Sequence, residues 1–190
     1  MKTLAAFIFT ISILVTSLTA QPLSGIHVET DPLTTVFGAK TVSLVFESEK
    51  VEHWSLFTNV VSADFPDWMD DFLNPKNKGK DFDTRIKLGG GLAIDYFFSP
   101  EKEGLYVGVI NLAFNYQVQK DGSTEEILAL NTIPRIGYRH FFAKNKNWYL
   151  NPFAGFRYES LFDKSKMISG SEFKPAGLQL FGTVHIGYKF

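Results

Sequence analysis

Leu178-Gln179-Leu180-Phe181-Gly182-Thr183-Val184-His185-Ile186-Gly187-Tyr188-Lys189-Phe190 closes the chain. Alternate positions are unlike. Leu178, Leu180, Gly182, Val184, Ile186, Tyr188 and Phe190 form one row; Gln179, Phe181, Thr183, His185, Gly187 and Lys189 form the other. A side-chain period of two belongs to a β-strand with two different faces. Here one face is apolar along its whole length, and a tilted strand of about 9–11 residues is long enough to cross a bilayer.

Working back from this stretch, seven more segments carry the same alternation: Ile26–Thr30, Lys40–Glu47, His53–Ser62, Thr84–Phe98, Leu105–Gln119, Ile127–Phe142 and Trp148–Phe162. In the fourth, Ile86, Leu88, Leu92, Ile94 and Tyr96 alternate with Arg85, Lys87, Gly89, Gly91 and Asp95. In the fifth, Tyr106, Ile110, Leu112, Phe114, Tyr116 and Val118 stand against Asn111, Asn115, Gln117 and Gln119. The connections at residues 48–52, 99–104 and 143–147 are short, while those at 31–39, 63–83, 120–126 and 164–174 run longer. Membrane barrels have short turns at one end and longer loops at the other.

A soluble sandwich also alternates, with its apolar face inward. Three features favour a barrel in lipid. The strands reach about 15 residues against a usual five or six. The polar rows carry Gly, Asn, Gln and charges of both signs that would meet in a narrow lumen. Strand ends are rich in Tyr, Trp and Phe, as at a membrane interface. A closed sheet is also the only sheet that satisfies its backbone in lipid. The expectation is therefore an all-β fold: an eight-stranded antiparallel up-and-down transmembrane β-barrel with one short loop helix. That helix falls at Phe65–Leu73, where Trp68, Met69, Phe72 and Leu73 share a face. Asp64 is placed to cap it and Pro66 stands in its first turn.

The first 20 residues stand apart. Lys2 gives a positive start, Leu4–Leu18 is an apolar run, and Ala20 is a small residue before a cut at Gln21. This reads as a secretory signal peptide (residues 1–20) before a barrel domain over 21–190. Lys2 is one of the 19 basic residues, so 18 remain against 20 acidic ones, and no electrostatic case for nucleic acid exists. With no cysteine, the chain has neither a disulfide framework nor a thiolate metal site. Its 19 Phe suit aromatic girdles.

Charge cannot face lipid cheaply, at about 2–4 kcal/mol for Arg or Lys at the midplane. The charged members of the polar rows are accordingly expected inside, as a lumen network of Glu29, Glu47, Arg85, Lys87, Asp95, Arg135, Arg139, Arg157, Glu159, His185 and Lys189. Buried charges must be paired, and both signs are present. An ion path through them is the alternative. His27, His53, His140 and His185 lie on separate segments without metal-ligand spacing. His27 and His185 become interior hydrogen-bonding groups on strands that meet on closure. Gly89-Gly90-Gly91 sits in mid-strand with no helix after it, so it makes room in the wall rather than cradling a phosphate.

With its signal segment, its eight alternating stretches, Pro134-Arg135-Ile136-Gly137-Tyr138-Arg139 and the ending Val184–Phe190, the chain resembles the small bacterial outer-membrane β-barrels of the OmpA/OmpX-like and porin-type group. The resemblance implies a location in the cell outer membrane, with the lipid bilayer as its surroundings. It also implies recognition by the barrel-assembly machinery through the last strand, with Tyr188 and Phe190 as the assembly signal. A non-enzymatic role without cofactor, structural or exerted through outer loops, is implied first. A narrow pore or a rim-located lipid A-modifying enzyme follows, though the His-x-Ser-Asn-Gly-like stretch of such enzymes is missing. The surface partner is not specified.

Overall fold

The computed structural model describes residues 23–142, 145–162 and 165–190, so the expected signal segment at 1–20 lies outside the described residues. In chain order the elements are β1 (Leu23–Thr30), α1 (Pro32–Val36), β2 (Ala39–Ser48), β3 (Trp54–Asp64), α2 (Asp67–Leu73), a 3-10 turn (Pro75–Asn77), β4 (Asp83–Phe97), β5 (Gly104–Lys120), β6 (Ser123–Phe141), β7 (Trp148–Leu161), β8 (Lys166–Ile168), β9 (Ser171–Phe173) and β10 (Leu178–Lys189). Eight strands close into one antiparallel barrel in the order β1-β10-β7-β6-β5-β4-β3-β2, and β8–β9 is a separate small hairpin. Each of the eight alternating segments becomes a wall strand. Among the described residues, no helix is long and apolar enough to cross a membrane.

Register gives the barrel its tilt. Starting at Leu178 and stepping through the paired residues Tyr158, Thr132, Asn111, Leu92, Thr58, Leu44 and Val28 leads back to β10 at Tyr188. The circuit returns ten residues along the strand from which it began. Strand tilt and barrel width are linked in this way, and an eight-stranded barrel is just wide enough for side chains to fill.

Two connections differ from expectation. Residues 120–126 are not a long loop: Lys120 pairs with Ser123, leaving Asp121-Gly122 as a two-residue turn. Both turn residues have positive φ, 48° and 77°, which the primed hairpin turns require and Asp-Gly supplies. β5 and β6 therefore run to 17 and 19 residues. Asp64 is the last residue of β3, beside Arg85 at 3.6 Å, and α2 begins three residues later at Asp67. The second helix, α1, and the β8–β9 hairpin carry no periodicity long enough to be read.

The outer surface is an apolar belt. At the terminal end of the barrel, where β1 begins and β10 ends, Trp54–Tyr96–Phe98 and Trp148–Tyr188–Phe190 form two edge-packed aromatic groups. Towards the other end, Lys40, Arg85, Lys87 and Glu126 mark the belt's limit. Between these boundaries the outward positions hold residues such as Val42, Val60, Leu88, Ile136, Leu150 and Phe156, and no Asp, Glu, Lys or Arg.

One row runs against expectation. On β5 the residues facing the lumen are Tyr106, Ile110, Leu112, Phe114, Tyr116 and Val118, all buried, while Leu105, Val107, Val109 and Asn111 face out. Both rows of β5 begin with apolar residues, so hydrophobicity alone did not define its outer side. Its facing is set by neighbours: Tyr106 pairs with Gly137 and Phe114 with Gly89, and only an inward glycine leaves room for those rings.

Candidate functional site

The barrel interior is divided in two. At the terminal end the lumen is filled by a packed ionic floor. Arg135 forms a two-bond pair with Asp95, Nε to Oδ1 at 3.0 Å and the second amino group to Oδ2 at 2.7 Å. Arg139 donates to Glu47 at 2.6 Å, and Lys189 donates to the other oxygen of Glu47 at 3.0 Å. The remaining faces of the two guanidiniums lie over rings: Arg135 is 4.5 Å from Phe153, and Arg139 is 4.5 Å from Phe97 and 5.0 Å from Tyr149. Such cation–π contacts strengthen when desolvated.

Glu29, with no exposed surface, is the second hub. It accepts from Tyr149 Oη at 2.8 Å and from Asn151 Nδ2 at 3.2 Å, and His185 Nδ1 lies 2.8 Å away. His27 joins the two hubs, with Nδ1 3.0 Å from Tyr149 Oη and Nε2 3.3 Å from Glu47. Tyr106 donates to Asn151 at 2.9 Å. Lys102, from the β4–β5 turn, closes the floor from below by donating to the Ser48 carbonyl at 3.2 Å. Carboxylates, guanidiniums and hydroxyls are bonded to one another, which is the condition for burying charge.

Glycines make this packing possible. A Cβ on Gly137 would lie 2.4 Å from the Tyr106 ring, one on Gly187 2.1 Å from Tyr149, and one on Gly89 2.3 Å from Phe114. Each glycine is the direct cross-strand partner of the aromatic it admits. The Gly89–Gly91 run makes room, as its mid-strand position indicates.

Above the floor, towards the loop end, lies an apolar chamber of about 800 Å³. This is within the range of about 300–1,000 Å³ for small-molecule sites. Val61, Ile110, Leu112, Phe114, Ile133 and Phe153 make much of its wall. Its base is polar: Thr183 donates to Asp31 Oδ2 at 2.7 Å, and His185 Nε2 is 3.8 Å from the same oxygen. Its rim holds Arg157, which donates to the Leu73 carbonyl at 2.8 Å and bonds to Gln179. Buried Glu159 accepts from Tyr116 Oη at 2.6 Å and from the Ala176 amide at 2.9 Å, pinning the last connection to the wall.

The expected network thus splits. Glu29, Glu47, Asp95, Arg135, Arg139, His185 and Lys189 come together in the floor. Arg157 and Glu159 belong to the chamber. Arg85 and Lys87 do not face the lumen: their side chains are 45% and 44% exposed and lie near Asp64 and Glu126 on the outside. The cause is a bulge, since Ile86 pairs with Tyr116 but Leu88 with Asn115, leaving Lys87 as an extra residue. That inserted residue reverses the facing of everything before it, so Ile86 turns inward.

Tyr188 and Phe190 pack against each other on the outer surface, ring centres 5.0 Å apart. Of the other histidines, His53 bonds to the Phe97 carbonyl at 2.8 Å, and His140 faces outward. Sequence reasoning missed Tyr106, Tyr149 and Lys102 of the floor and Asp31 of the chamber, and it put Asn151 on a polar row without a place in the network, because core and turn residues join these groups only through register. Among the described residues, no group of three His, Asp or Glu side chains could hold a metal ion. Comparison with family models, curated proteins and solved structures gave no match.

Proposed function

We propose that this chain is an integral protein of the bacterial outer membrane, without enzymatic activity, which shelters a hydrophobic molecule in its chamber and passes no ions through its floor. The observation that carries the reading is the distribution of charge. The outward belt is uncharged between its limits, while five charged side chains of the floor, Glu29, Glu47, Asp95, Arg135 and Arg139, are almost completely buried. In water this arrangement is inside out: soluble monomers rarely expose a continuous apolar patch beyond a few hundred Å². In lipid each feature becomes favourable, because closed pairing satisfies the backbone and the belt is solvated by acyl chains.

The signal-like start and the aromatic-ended final strand support the same location, and they make the bilayer and the barrel-assembly machinery its partners. The floor end then faces the periplasm, and the chamber and longer loops face outward. A sealed floor argues against a pore. The polar trio of the chamber supports binding rather than catalysis, since the Thr183 hydroxyl is committed to Asp31, whose other oxygen caps α1.

The test is reconstitution. Purified protein in phospholipid vesicles is expected to float with them, to migrate on gels faster unboiled than boiled, and to give no current steps in planar bilayers. Recovery as a soluble monomer without detergent would overturn the membrane reading, and regular ion steps would overturn the sealed floor.

A further inference from the structure

Within the apolar belt, the seam between β1 and β10 is paired over only part of its length. β1 and β10 pair only from His27 with Lys189 to Thr30 with Ile186. Beyond that point β1 ends, while β10 continues for eight residues, Leu178–His185, paired on its β7 edge alone. β2 likewise continues past its last β1 pair, Thr30 with Val42, to Ala39. Lipid does not tolerate an open strand edge, so the opening needs a cover.

The cover is α1. It packs on both β10 and β2, and it is self-contained: Asp31 caps it through the Thr34 amide at 3.0 Å, and Thr35 Oγ1 returns a bond to the Asp31 carbonyl at 2.7 Å. Its tie to β10 is the Thr183–Asp31 bond.

Two further observations concern the same place. The lining of the chamber includes Leu180 and Gly182, which belong to the outward row of β10, so the chamber comes up to the wall at this seam. Two of the most exposed apolar side chains of the described residues also lie on the elements that bound this gap: Val36 of α1 at 80% and Leu180 of β10 at 79%. The outward row of β10 is level with neighbouring belt residues, Leu178 being paired with Tyr158 and Leu180 with Phe156.

We propose that the β10–α1–β2 seam is a lateral portal, through which the acyl chain of a single-chain anionic amphiphile passes from the outer leaflet into the chamber. The inference deepens the hydrophobic-binding reading above and rests on it. Moving a chain from lipid to an apolar chamber brings little hydrophobic gain, because lipid tails are as apolar as the wall. Selectivity therefore lies in the head group. Among the described residues Arg157 is the only Arg or Lys lining the chamber; the carboxylates that share it, Asp31 and Glu159, are already bonded to Thr34 and Thr183 and to Tyr116 and Ala176. The Arg157 bonds to Leu73 and Gln179 use one amino group, and among the described residues the other guanidinium nitrogens make no hydrogen bond that would keep them from a carboxylate.

The test uses cis-parinaric acid, a fluorescent long-chain fatty acid, and its methyl ester. Protein is first inserted in phosphatidylcholine vesicles and checked by flotation and gel migration, so a failed membrane reading appears before any ligand is added. Saturable uptake of the acid is expected, with weaker uptake of the ester. Gly182→Phe narrows the portal; a Cβ there would stand 3.3 Å from the Phe153 carbonyl, which a small shift relieves. Leu180→Trp, at an exposed position, is the second blocking variant. Either variant slows uptake about tenfold, equivalent to a barrier of about 1.4 kcal/mol. Arg157→Gln abolishes the preference for acid over ester. Absence of saturable uptake by inserted wild-type protein overturns the acyl site. Unchanged rates in both blocking variants overturn the portal and assign uptake to the loop end. Equal uptake of acid and ester by wild type overturns the anionic head.

Discussion

Asp95→Ala isolates the energetics of the floor. The substitution removes both acceptors of Arg135, whose side chain has no exposed surface and whose third nitrogen has no hydrogen-bond partner in the native floor. What remains around the guanidinium is the faces of Phe153, Phe57 and Tyr106, 4.5 to 5.4 Å from its centre. Rings offset part of the charge but accept none of the donors well. Breaking a buried pair from one side costs about 3–5 kcal/mol. With a urea slope near 2 kcal/mol/M, the unfolding midpoint falls by about 2 M. Pairing the change with Arg135→Met removes the orphaned charge, and most of the loss is recovered, because well-packed apolar replacements for buried ion pairs are often neutral. Equilibrium urea unfolding in vesicles, followed by tryptophan fluorescence and gel migration, measures both. A single-variant loss under about 1 kcal/mol would show that water reaches Arg135 and that the floor is not sealed. No recovery in the double variant would show that the pair has a role beyond mutual neutralisation.

Ile136→Arg places a charge on the outward belt at a half-exposed position; in vesicles it is expected to cost about 2–4 kcal/mol, whereas a water-facing site would register under about 0.5 kcal/mol, and the same urea assay reads the difference. Gly137→Ala drives a methyl into Tyr106, 2.4 Å away, and disrupts its bond to Asn151; a loss of about 1–3 kcal/mol is expected, the usual cost of overpacking. Deleting Phe190, an exposed ring beyond the last strand, should leave refolding in detergent unchanged while lowering the heat-modifiable fraction assembled in cells. Equal assembly in cells would remove the terminal aromatic from the assembly signal.

Strand existence, strand number and closure were legible in the sequence, because a period of two repeated over eight segments has few other solutions. The inward placement of Glu29, Glu47, Asp95, Arg135 and Arg139 was legible for the same reason, since each sits opposite an apolar outward neighbour. Where both rows of a strand are apolar, as on β5, periodicity shows that there is a strand but not which side faces the lumen. Phe114 and Tyr106 face inward because Gly89 and Gly137 stand across from them, and that is a fact of register. Arg85 and Lys87 turned outward through a single inserted residue, and local sequence carries little sign of such a bulge. The chamber, the floor's hydrogen bonds and the seam joined residues as far apart as Asp31 and Thr183. The chain by itself thus determined a barrel with charge on the inside. Only tertiary structure decided that the charge gathers at one end and a cavity at the other, because residues distant in sequence meet only once strand offset, tilt and closure are fixed.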